Sequence, residues 1–70
     1  MDNKMMYTAV FEPAPHGGFD AHIEEVPKIT AQGAKIAAIK EDLLGKLAAH
    51  QKIAVENIAL KISVRVDINF

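Results

Sequence analysis

The stretch from Ile58 to Phe70 constrains the fold more than any other part of this chain. Leu60, Ile62, Val64, Val66, Ile68 and Phe70 fall on one side of a strict alternation, and Lys61, Ser63, Arg65, Asp67 and Asn69 fall on the other. A period of two is the signature of a strand with one buried face. The run is about twice the usual strand length of five or six residues. A small sheet cannot pair all of it within one subunit, so its overhang is expected to pair with, or swap into, a second copy. The apolar row from Leu60 to Phe70 is therefore the expected oligomer interface, since an unpaired apolar strand otherwise invites aggregation.

Size points the same way. A chain of 70 residues makes one domain and buries only about 60% of the surface that its unfolded form exposes. Small domains usually add disulfides, a metal or a partner. The sequence has no cysteine, so disulfides and thiolate metal sites are excluded, and association remains as the expected source of extra stability. Half of the residues are hydrophobic, enough for a core and unlike a disordered chain.

Two strands precede the middle of the chain. In 6–12, Tyr7, Ala9 and Phe11 share one face, and Thr8, Val10 and Glu12 share the other. Pro13 and Pro15 end this strand, because proline cannot donate to a ladder, and His16-Gly17-Gly18 turns the chain. In 19–25, Phe19, Ala21 and Ile23 point inward while Asp20, His22 and Glu24 point outward. Pro27 breaks that strand, and 28–32 forms a short third one with Ile29 and Ala31 inward.

From Ala34 to about Gln51 the period lengthens to 3.6. Ile36, Ile39, Leu43, Leu47 and His50, with Leu44 beside them, form the apolar stripe of a helix. Gly45 lies inside it, where close packing against the sheet is the simplest reason for a residue that costs up to about 1 kcal/mol relative to alanine. The expected architecture is α+β, in the order β-β-β-α-β, with one helix on one face of a small mixed or antiparallel sheet. The other face, with Thr8, Asp20, His22, Glu24, Thr30, Gln32, Lys61 and Arg65, is polar and either solvated or a docking surface.

Charge and motifs exclude several functions. The formal net charge is −1, and the basic residues are scattered, so nothing draws in nucleic acid at long range. The N-terminus lacks the apolar run of a signal peptide, and no stretch approaches the roughly 18 apolar residues of a membrane span. A cytoplasmic location, without membrane contact, is the expectation.

Asp20, His22 and Glu24, at i, i+2 and i+4, are the residue types that can ligate a divalent metal. Neighbours on one strand face stand about 7 Å apart, however, and a solvated strand face is the simpler reading. His16 in its turn can shuttle protons or merely be exposed, and His50 complements a helix C-terminus. Ser63, Thr8 and Thr30 are the only hydroxyl nucleophiles of their kinds, and none has a base at an interpretable spacing. No phosphate-binding glycine loop occurs, so neither a catalytic residue nor a cofactor or metal site is expected.

Taken together, Tyr7 to Glu12, then Gly17-Gly18-Phe19-x-Ala21, then Pro27 and Gln32-Gly33, then an amphipathic helix and a closing strand, resemble the HicB-like antitoxin family. The resemblance covers about residues 6–68. Lys28 stands where the family usually has glycine, and Gly33-Ala34-Lys35 lacks the threonine cap and later glutamate that usually open the helix. No DNA-binding module follows the last strand, so direct DNA binding is not expected.

The resemblance implies a reduced RNase H-like domain spanning 1–70. It implies a non-catalytic role, in which the domain neutralises a small HicA-type mRNA interferase by masking its active site. Phe19, Asp20, His22, Glu24 and Lys28 are the candidate contact residues, with a homodimer or higher oligomer as the expected assembly. Two alternatives remain: a degenerate metal-dependent nuclease or hydrolase using Asp20, His22 and Glu24, and an orphan oligomer with an unrelated partner.

Overall fold

The structure, a computed structural model, describes residues 4–65. Tyr7, Ala9 and Phe11 are buried on one side of β1 (Met5–Pro13), as the alternation predicts. A loop follows, closed by the Ala14 amide donating to the Gly18 carbonyl (3.0 Å) and the Gly17 amide donating to the Ala14 carbonyl (3.1 Å). Then come β2 (Phe19–Ile23), β3 (Val26–Gly33), α1 (Ile36–Gln51), a 3-10 turn (Val55–Asn57) and β4 (Ile58–Val64). The order is the expected β-β-β-α-β, and the class is α+β.

The strands lie side by side as β3-β2-β1-β4. The first three are antiparallel neighbours, and β4 returns parallel to β1, so the sheet is mixed. Since antiparallel strands need only a turn and parallel ones a crossover, α1 is the element that carries the chain from one edge of the sheet to the other. It packs mainly over β3, and less over β2 and β4. The core lies between: Phe11, Ile23, Ile39, Leu43 and Leu47 are fully enclosed, with Tyr7, Ala21, Ile29 and Ile58 around them. Phe19 closes one end by setting its ring edge-on to Phe11, with centroids 6.3 Å apart. No helix among the described residues is long and apolar enough to cross a membrane.

Several details differ from the sequence expectation. β2 stops at Ile23, and Glu24 lies in a turn with Glu25 instead of on the strand. Pro27 does not break the second strand, which has already ended at Ile23, but lies inside the third. β3 is an edge strand, and its pairing slips between His22 and Ile23, so the proline occupies a stretch where no amide is owed to a neighbour.

The helix begins at Ile36, after an extended Lys35 that makes no side-chain cap. His50 is exposed, and Ala48 takes the buried place near the helix end. Each i to i+4 step turns the stripe by about 40°. By the last turn it has rotated from Ile39 towards Leu47 and Ala48, leaving His50 to one side. Gly45 is exposed, and a Cβ added there meets nothing within 4 Å, so close packing against the sheet is not its reason. Val66, Ile68 and Phe70, the far part of the expected interface row, lie outside the described residues.

Candidate protein-binding surface

One sheet face lies under α1; the other carries no element among the described residues. The register arranges this open face in rows. Glu12 sits across from Asp20, which sits across from Gln32; Val10 sits across from His22, which sits across from Thr30; on the β4 side, Val10 faces Ser63 and Thr8 faces Lys61. Val10 is the apolar centre of this face and is only 2% exposed. Around it stands a polar ring in which Glu12 and Asp20 place two carboxylates side by side, an arrangement that destabilises a strand pair unless a cation is near. Arg65 supplies one, with its guanidinium 3.6 Å from the Glu12 carboxylate.

A shallow depression of about 610 Å³ runs from this face around the β3 edge, lined by Glu12, Asp20, His22, Thr30, Gln32 and, from the helix, Asp42 and Lys46 among others. Lys46 Nζ donates to the Thr30 carbonyl (2.7 Å) and pairs with Asp42 (3.0 Å), fastening α1 to β3 at this margin. A second depression, of about 510 Å³, adjoins it at the hairpin, with His16, Phe19, Asp20, Gln32 and Gly33 in its wall.

The candidate contact residues are thus divided. Asp20 and His22 stand together on the open face. Phe19 is half-buried under the helix side, Glu24 is in the β2–β3 turn, and Lys28 is exposed on β3. Loss of Glu24 from the strand also breaks up the metal-ligand trio, and no cluster of three His, Cys, Asp or Glu side chains able to hold a metal occurs among the described residues.

Alternation alone places Glu12 beside Asp20 once the hairpin register is known. The Asp42–Lys46 pair has a visible i, i+4 spacing, but its position at the β3 edge is tertiary information. Glu25 had no sequence signal. Its carboxylate accepts from the Thr8 amide (2.8 Å) and the Thr8 hydroxyl (3.0 Å), while the Glu24 amide donates to the Thr8 carbonyl (2.8 Å). The turn is thereby clamped onto β1. The donated Thr8 amide bond holds the Glu25 carboxyl below its ordinary range, against the opposing effect of partial desolvation.

The outer edge of β4 is the second surface. Leu60 is half-buried, Ile62 is 38% exposed and Val64 is 47% exposed, although all three lie on the helix side of the sheet. The helix sits too far towards β3 to cover them. No family model, no curated protein and no solved structure matches this chain.

Proposed function

We propose that the chain is a non-catalytic protein-binding domain, resembling a HicB-type antitoxin, that neutralises a small HicA-type mRNA interferase in the cytoplasm by masking its active site. In this reading it self-associates through β4 and makes no direct contact with DNA. The observation that supports it is the sheet face that no element among the described residues covers, where four strands present a polar ring with Asp20 and His22 beside a depression, around one buried valine. A pre-formed surface of this kind suits a rigid protein partner, and Asp20 at its margin suits a basic group on that partner.

The test is co-expression with a small basic protein encoded beside it. Growth arrest by that protein should be relieved, and the two chains should elute together on gel filtration. Asp20→Lys should weaken the complex at least about tenfold, because a like charge then faces the partner. Persistent arrest with no complex would remove this reading.

A further inference from the structure

The backbone of β4 defines what can dock on its edge. The Arg65 amide donates to the Phe11 carbonyl (2.8 Å), and the register is parallel, with Val64 beside Phe11. In such a ladder alternate residues turn both polar groups to the same neighbour. Ala59, Lys61, Ser63 and Arg65 therefore bond inward to β1. Leu60, Ile62 and Val64 turn their amides and carbonyls outward, where no strand among the described residues meets them. Two of them, Ile62 and Val64, carry the exposed apolar side chains, and Leu60 is half-buried beside them.

We infer that this edge is occupied by β4 of a second copy, antiparallel, with the two-fold axis at Ile62. Charge disfavours the two adjacent registers, and the exposed pair Ile62 and Val64 favours the one between them. Overlapping the whole of Ile58–Val64 centres the pair on Lys61 and sets Lys61 directly against its own copy. Centring on Ser63 sets Lys61 against Arg65. Like charges directly opposite are destabilising.

Centring on Ile62 sets Lys61 against Ser63 and Ala59 against Arg65, so no two charges face. It sets Ile62 against itself and Leu60 against Val64, which are the residues with free backbone groups, giving about six new ladder bonds. The two apolar rows then adjoin on the helix side of one continuous sheet, and neither copy's β4 edge stays open.

The inference rests on the self-association part of the function proposed above and is independent of the toxin. The experiment uses the chain alone, so a failed toxin rescue leaves it standing, and a monomeric chain leaves toxin binding standing. Sedimentation should give twice the 7.6 kDa of the single chain.

Ile62→Pro removes an outward amide that β1 does not use, and Ile62→Lys opposes two ammonium groups on the axis. Both should be monomeric with unchanged circular dichroism, and if the proline variant unfolds, the lysine variant decides. Because the described chain has no cysteine, single cysteines report the register. Ile62→Cys places two thiols at a Cα separation of about 5.5 Å, within disulfide reach, and should cross-link under mild oxidation. Leu60→Cys places them roughly 14 Å apart and should not. A monomeric wild type, a folded Ile62→Lys dimer, or cross-linking through Lys61→Cys in preference to Ile62→Cys overturns the inference.

Discussion

Gly18 takes φ +73°, and a Cβ built on it runs into the carbonyl of Gly33 across the β2–β3 register. Both the conformation and the close approach require glycine. Gly18→Ala should cost about 2 kcal/mol or more, read as a lower midpoint in urea unfolding. Glu25 contributes to the behaviour in acid. Its folded carboxyl titrates below the ordinary value of 4.5, so the stability it contributes is complete above that value and is lost as the pH falls through the lowered one. Glu25→Gln should flatten that part of the stability–pH curve and leave the neutral-pH slope unchanged. Neither effect is evident from residue type alone: a Gly-Gly pair announces a turn, but which glycine is crowded depends on the strand beside it.

The helix carries two avoidable costs. Gly45 is exposed with open space around its missing side chain, so Gly45→Ala should stabilise the protein by about 1 kcal/mol and raise the thermal midpoint by about 5 °C. Lys35 stands at the N-terminus without a side-chain bond to the first turn, and Lys35→Asp should add about 1 kcal/mol through a cap. The two sites are remote from each other, so their increments should add in thermal unfolding. The missing cap was visible in the sequence, because it needs only the residue types near Gly33. The role of Gly45 and the exposure of His50 were not, because the side of a helix that meets the sheet rotates along its length with the crossing direction.

In the whole molecule, a single layer of core between one helix and one sheet leaves little reserve. Leu43 is fully enclosed, and Leu43→Ala should cost about 2–5 kcal/mol, a large share of what a domain of this size has to lose. A circular-dichroism melt would then show little cooperative transition at 37 °C. If β4 is shared between copies, the wild-type thermal midpoint should rise with protein concentration, while that of Ile62→Lys stays constant. The candidate binding face was foreseen as a set of outward polar residues. Its membership changed where a turn replaced the end of β2, which removed Glu24 and left Asp20 and His22.

Local periodicity determined the elements themselves: where the side chains alternate or recur at 3.6, only one secondary structure buries them together. It therefore also determined the order of strands and helix, the inward rows of β1 to β3, and the apolar character of β4. Tertiary structure alone decided that β4 lies beside β1 and parallel to it, that α1 leans towards β3, and that Ile62 and Val64 are left uncovered. Those outcomes depend on pairing and contact between residues distant in the chain, and no pattern within one segment records which neighbour it will meet.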